Sequence, residues 1–241
     1  MSDKYDAIQM DPLIMSAARA LAAGDPIAAL NLVALRDDAP ALALRGIAMA
    51  RLGDLVRAKV LLRSAARAFG PKEAVARARC VVAESEIAVV SRDLGWPAKA
   101  LDAARVTLEE HGDWLNAAHA RYLEVRRLLL IGRLDEGERT MAKLDPAPFP
   151  PALRAAHELV VAGIAMRRLQ TKTARAALGR AERAAHHAGI PELKVEVENA
   201  SLVLNTPAAR LIARCEERLL LLEEVEALLA SRRSSWMRAA M

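Results

Sequence analysis

Aromatic residues are scarce in this chain, 3% of 241 residues, and cannot supply the bulk of a core. Runs of Val, Ile, Thr and aromatics at period two, the mark of half-buried strands, are nearly missing too. Val81-Val82 and Val89-Val90 come nearest, and each lies inside an Ala/Glu-rich helical pattern. A strand-rich fold is therefore not expected. The two cysteines, Cys80 and Cys215, stand far apart without metal-ligand spacing, which excludes a disulfide scaffold. Arg or Glu interrupts every apolar run before it reaches the roughly 18 residues that would cross a bilayer. The opening residues, MSDKYDAIQMDPL, lack a basic stretch followed by an apolar one. No secretory leader is expected from them, and the cytoplasm is the expected compartment.

What is abundant is Ala and Leu, both strong helix formers, within a hydrophobic fraction of 54%. An all-α protein follows. Ala lets helices approach closely but buries little area, so the core must be spread over many contacts. The formal charge is +5, carried mostly by Arg. The basic residues alternate with Asp and Glu, the pattern of a solvated surface, although a basic balance also admits nucleic acid as a partner. The exception is Ser231 to Arg238, SRRSSWMR, where basic residues gather.

Turn signals punctuate the chain. They fall at Ala23-Gly24-Asp25-Pro26, Leu52-Gly53-Asp54, Leu94-Gly95-Trp96-Pro97 and Ile131-Gly132-Arg133, with Leu169-Gln170-Thr171 as a fifth that lacks Gly. Gly closes a helix because it takes the left-handed conformation freely, and Asp or Pro just beyond can open the next. The intervals average about 36 residues, within the range of helical-hairpin repeats. Apolar faces of helical period flank each turn: Leu42, Gly46, Ile47 and Ala50 before Gly53, then Leu55, Ala58, Leu61, Leu62 and Ala65 after it. About five hairpins are expected across residues 1–205. Thr206-Pro207 has the form of an N-cap followed by Pro at the first helical position. From it Leu211, Cys215, Leu219, Leu222, Val225 and Leu229 predict one long apolar-striped helix, 206–230, that caps the last hairpin or pairs two copies of the chain. Residues 231–241 form a basic tail, either disordered or an appended end.

These residues resemble the tetratricopeptide repeat, a 34-residue helical hairpin with small residues at positions 8, 20 and 27 and Gly near 15. With Gly53 at 15, Gly46 falls at 8, Ala58 at 20 and Ala65 at 27, and Gly70-Pro71 ends the unit. With Gly95 at 15, Ala88 and Ala100 fall at 8 and 20; with Gly24 there, Ala17 and Ala29 do. Gly132 gives Val125 and Gly137, a weaker copy, and Leu, Met and Ala replace the usual aromatics. The resemblance covers about residues 10–190 and implies a tetratricopeptide-like α-α superhelix, a solenoid of about five hairpins plus a C-terminal helix. The longer units and links such as Ala188-Gly189-Ile190-Pro191 are also similar to the sensor domains of bacterial transcription regulators, in which repeats bind an effector or partner and a separate domain binds DNA.

The resemblance implies that the first helix of each pair lines a concave groove. Its groove positions correspond to Ser85, Arg92, His119, Tyr122, Arg126, Leu159 and Met166 in this sequence. Arg, Tyr and His there suit an acidic peptide or a carboxylate, since Arg forks onto carboxylates; the plainer reading is ordinary helix surface. His186-His187, with Glu182 one turn before, has too few ligands for a metal and is expected on a helix surface near its C-terminus. Trp96 is expected as a packed plug. There is no Gly-rich phosphate loop, nucleophile elbow or HExxH, and Glu84, Glu86, Glu109 and Glu110 are expected to be solvated helix carboxylates. The expected function is non-enzymatic, with no cofactor and no metal. It is a protein, peptide or small-effector binding module of a bacterial regulator, with homodimerisation through the C-terminal helix as one assembly. The alternative is nucleic-acid binding through basic helix faces or through a DNA-binding domain beyond this chain.

Overall fold

The computed structural model describes residues 11–213 and 216–239, with side chains from 232 onward outside that description. The opening residues 1–10 and Cys215, both weighed above, lie outside the described residues. The described residues hold twelve helices and one two-stranded sheet, so the helical class expected from composition is met. The chain divides into two units, Met1–Glu124 and Val125–Met241.

The first unit contains α1 (Pro12–Ala22), α2 (Pro26–Val33), α3 (Ala39–Arg51), α4 (Leu55–Ala68), α5 (Ala74–Val90) and α6 (Ala98–Glu110), and α7 (Trp114–Leu130) opens in it. Asp starts most of these helices. The carboxylates of Asp11, Asp25, Asp38 and Asp54 accept backbone N–H groups of α1, α2, α3 and α4, satisfying donors that a helix start leaves open. Helix α1 packs on α2, α3 on α4, and α5 on α6.

The joints share a closing geometry. Gly24, Gly53, Arg92, Gly112, Gly132 and Leu169 all have positive φ. After each, the next amide bonds to the carbonyl five residues back, as in Asp25 to Ala20 at 2.9 Å, Asp54 to Met49 at 3.0 Å and Gln170 to Ala165 at 2.9 Å. This is the Schellman closure, which uses a left-handed residue to satisfy the last carbonyls of a helix. One turn differs in register from the sequence expectation. The left-handed residue of the third turn is Arg92 (φ 53°), not Gly95, because α5 ends at Val90 and the Ser91 hydroxyl bonds back to the Ile87 carbonyl at 2.7 Å.

Most small residues of the repeat pattern are buried, Ala100 only partly. Ala17, Ala29, Ala58 and Ala65 are fully enclosed, and Gly46 and Gly137 are buried as well. Gly46 marks the tightest approach: a Cβ built there would lie 2.8 Å from Leu62 Cγ across the α3–α4 contact. Trp96 is buried in a cluster with Val82, Leu101, Leu108 and Leu123, the packed role expected of it. Cys80 packs with Phe69, Ala39 and Ala65, and burial pushes its thiol pKa up to about 11.

The second unit contains the end of α7, then α8 (Leu134–Met141), α9 (Pro151–Arg167), α10 (Thr171–Ala188) and α11 (Pro191–Asn205). Helix α9 packs on α10 through Ala162, Ala165, Ala174 and Ala177, and at the other end through Ala155, Ala181 and Ala185. Gly189, at φ 68°, closes α10.

The C-terminal segment departs from the expected single helix. Strands β1 (Ala209–Ala213) and β2 (Glu216–Leu220) pair antiparallel, and α12 (Leu222–Ala239) follows them. Two causes explain the misreading. Thr206 ends α11 instead of capping a new helix, because its hydroxyl donates to the Leu202 carbonyl at 2.7 Å. The helical spacing of 211, 215 and 219 does not survive the turn: Leu211 pairs with Arg218 and Leu219 with Arg210, so the antiparallel register puts the two leucines on opposite faces of the ribbon. The real helix start is at Leu221, whose N–H donates to the Glu224 carboxylate at 2.9 Å. Helix α12 then continues through residues set apart in the sequence as a tail.

Candidate functional site

A recess of about 390 Å³ opens in the second unit, walled by α8, α9, the start of α10 and the link after α8. Its walls follow helical spacing. His157, Val161, Ile164 and Ala165 recur at i, i+4, i+7 and i+8 along α9, forming one stripe. Glu138 and Met141 of α8 and Ala142 just past its end do the same, and Gln170 and Thr173 sit a turn apart at the head of α10. Leu144 and Pro146 complete an apolar side.

The turn at Leu169 positions the polar end. Leu169 takes φ 54° without being Gly, which costs roughly 1–2 kcal/mol of backbone strain. This turns the chain from α9 into α10 and leaves Gln170 beside the recess. Gln170 makes no side-chain cap bond to its own helix. The capping comes from elsewhere: Glu226 of α12 accepts the Thr171 amide at 2.9 Å and the Thr171 hydroxyl at 2.5 Å. These two bonds hold the Glu226 carboxyl below its ordinary range. They also account for the burial of Thr171, a polar side chain enclosed by the fold.

The electrostatics of the recess are closed on themselves. Arg168, at the end of α9, forks onto Glu138, with Nε to Oε1 at 2.7 Å and Nη2 to Oε2 at 2.8 Å. It also reaches Asp135. The pairing with Arg168 holds the Glu138 carboxyl below its ordinary value and raises the guanidinium pKa. His157 is half-buried, and loss of water lowers its pKa, with Arg180 adding to the effect and Glu158 and Asp145 opposing it. A histidine below its usual 6.5 is a neutral imidazole at pH 7.

The seven groove residues expected from the repeat resemblance are placed differently from one another. Ser85 is buried, and its hydroxyl donates to the Val81 carbonyl at 2.7 Å. Tyr122 is the largest of the fully buried side chains. Arg92 lies past the end of α5, in the turn. His119 is partly exposed, its Nε2 3.4 Å from the Glu86 carboxylate. Arg126 pairs with Glu196 of α11 at 2.9 Å. Leu159 and Met166 pack toward the α9–α10 core. None of Arg126, Leu159 and Met166 lines the recess. The sequence reading missed His157 by two positions, which is about 200° around a helix and hence the opposite face. The signal that would have found it was the stripe 157, 161, 164, 165, read independently of the repeat register.

Arginines elsewhere fasten neighbouring elements. Arg63 meets Glu84 at 2.7 Å and Arg79 meets Asp113 at 2.7 Å. Arg121 meets Glu109 at 2.8 Å, and Arg180 forks onto Glu158 at 2.8 and 2.9 Å. Glu84 and Glu109 are therefore ion-paired carboxylates. His186 and His187 are exposed on the last turn of α10, with His187 Nδ1 2.7 Å from the Arg183 carbonyl oxygen. Among the described residues no group of three or more His, Cys, Asp and Glu could hold a metal ion, and no helix is long and apolar enough to cross a membrane.

The chain matches no protein-family model, and neither a curated protein nor a solved structure is significantly similar to it.

Proposed function

We propose that this chain is a non-enzymatic sensing module that binds a small effector in the recess between α8, α9 and α10. The observation that carries this reading is the recess itself. Its volume of about 390 Å³ falls in the range of small-molecule sites, and its lining combines apolar walls with a few convergent polar groups. A tetratricopeptide-like solenoid of a cytoplasmic bacterial regulator is the setting we propose, supported by the helix pairs and by the buried small residues Gly46, Ala58 and Ala65. Partner binding would be coupled to the effector through α12, since Glu226 of that helix caps the helix whose head borders the recess. Direct nucleic-acid binding is disfavoured, because Arg63, Arg79, Arg121 and Arg180 already face carboxylates at short range.

Native mass spectrometry of the full chain purified gently from its own host tests the reading. The expected result is a bound species of a few hundred daltons that is absent from Ala142→Trp, a change at an exposed wall position that fills the recess without entering the core. A ligand retained by both chains, or none in either, would overturn the reading.

A further inference from the structure

We propose that two copies of this chain associate through the outward face of the β1–β2 ribbon. A two-fold axis would lay Ile212 and Leu219 of one copy on the same residues of the other, and Arg210 on Glu217. The register of the ribbon supplies the patch. Ile212 stands opposite Glu217 and Arg210 opposite Leu219, and residues opposite each other across a ladder share a face. The other face is turned inward: Leu220 is buried, Leu211 is half-buried, and Arg218 pairs with Glu224 of α12 at 3.2 Å. On the outward face Ile212 is 71% and Leu219 60% exposed, and Arg210 meets Glu217 at 3.1 Å with both side chains open to water. Among the described residues no third strand joins these two. A two-stranded ribbon with an uncovered apolar pair is marginal in water by itself and gains from a cover. This proposal stands apart from the recess and does not depend on it.

The pattern of the four side chains selects a second copy as that cover. They stand at the corners of a rectangle about 7 Å along the strands and 5 Å across them, with Ile212 and Leu219 on one diagonal and Arg210 and Glu217 on the other. Two copies of one face meet about a two-fold axis lying in that face. An axis along the Ile212–Leu219 diagonal puts each apolar residue over its own copy and brings each Arg210 within side-chain reach of Glu217 of the second copy. An axis along the other diagonal puts Arg210 over Arg210 and Glu217 over Glu217. An axis parallel or perpendicular to the strands puts each charge over an apolar side chain. Only the first arrangement is matched, and like charges exclude its nearest rival. A partner of one charge sign, such as a nucleic acid, would be attracted by one of Arg210 and Glu217 and repelled by the other. The apolar pair supplies the affinity and the ion pairs supply the register. Four side chains make a small contact, so the dissociation constant should be on the order of 10–100 μM.

The test uses the double variant Arg210→Glu/Glu217→Arg, which reverses both charges and keeps an ion pair within the ribbon. Isotopically labelled full chain is held dilute, unlabelled full chain is added to about 1 mM, and shifts are followed at the Ile212 and Leu219 amides. The expected result is a saturable response of parent to parent, and an equal one of double variant to double variant. Double variant added to labelled parent brings like charges together and should bind at least about tenfold more weakly. Ile212→Ser, a change at an exposed site, should lose self-association, read at Leu219. No response of parent to parent, or a response confined to other residues, would overturn the proposal. A mixture of parent and double variant as tight as parent alone would overturn it too, and would point to pairing along the strand edges. So would a double variant that fails to pair with itself, or Ile212→Ser that pairs like the parent.

Discussion

Replacing Gly46 by Ala sets two opposed effects against each other. In a helix interior the change should help, by about 1 kcal/mol, because Ala loses less backbone freedom on folding. At this position the added methyl meets the facing helix. Its Cβ would lie 2.8 Å from Leu62 Cγ, 3.1 Å from Leu62 Cδ2 and 3.2 Å from the Leu62 backbone nitrogen. Leu62 is 1% exposed, so its side chain has no solvent to move into, and the nitrogen can retreat only if α4 shifts as a body. Overpacking of this kind costs about 1–3 kcal/mol, and contact with a backbone atom places it toward the upper end. The net expectation is destabilisation by about 1–2 kcal/mol. Gly179 supplies the comparison. It also lies inside a helix, but a Cβ there meets only the mobile end of Arg183, at 3.7 Å. Gly179→Ala should therefore stabilise by about 1 kcal/mol. Urea unfolding followed by far-UV circular dichroism reads both variants as shifts in midpoint at unchanged slope. If Gly46→Ala proves as stabilising as Gly179→Ala, the close approach of α3 and α4 is refuted.

Ala58→Arg should be far more severe, since Ala58 is fully enclosed between α4 and its neighbours and an unpaired buried charge costs several kcal/mol, about 3–5. An unchanged melting temperature would rule out that packing. Glu226→Ala removes the acceptor of the Thr171 amide, so hydrogen exchange at Thr171 should accelerate while exchange in α3 and α4 stays as it was. The same contact is pH-sensitive in a defined direction. Its carboxyl pKa is lowered by folding, so its stabilisation is complete above the unfolded value and disappears as pH falls through the folded one. The protection of the Thr171 amide, taken relative to its intrinsic exchange rate at each pH, should therefore fall on acidification in the parent and show no such step in Glu226→Ala. Cys80, with its thiol pushed up to about 11 and buried, should resist iodoacetamide at pH 8 until urea is added; peptide mapping that finds native alkylation at Cys80 would contradict its burial.

Local signals were legible wherever one residue decides one joint. Gly24, Gly53 and Gly132 announce turns because few other residues take positive φ without strain, and Asp25 and Asp54 announce the following helix starts. The small residues Ala17, Gly46, Ala58 and Ala65 announce close contacts because only they fit there. Arg92 and Leu169 were harder, since a non-Gly residue in that conformation is held by its surroundings and carries no mark of its own. The hairpin of β1 and β2 was illegible for a different reason: Leu211 and Leu219 keep helical spacing in sequence although they fall on opposite faces of the ribbon, and Thr206 serves equally as the end of one helix or the start of another. The recess was missed because its residues are ordinary ones, His157, Gln170 and Thr173, distributed over two helices and a link. Only their juxtaposition in space distinguishes them from other polar helix residues.

Within the first unit, each helix touches chiefly the helices beside it in sequence, α1 with α2, α2 with α3, α3 with α4, and on to α6. Such connectivity carries a kinetic signature. Loops that must close before a contact forms are short, so little chain entropy is lost ahead of each gain and folding should be fast, on the order of microseconds to milliseconds for this topology. Opening should be graded as well. Because α1 and α2 make their contacts among themselves and with α3, they can open without disturbing α5 and α6, while α3 opens only together with the helices on both of its flanks.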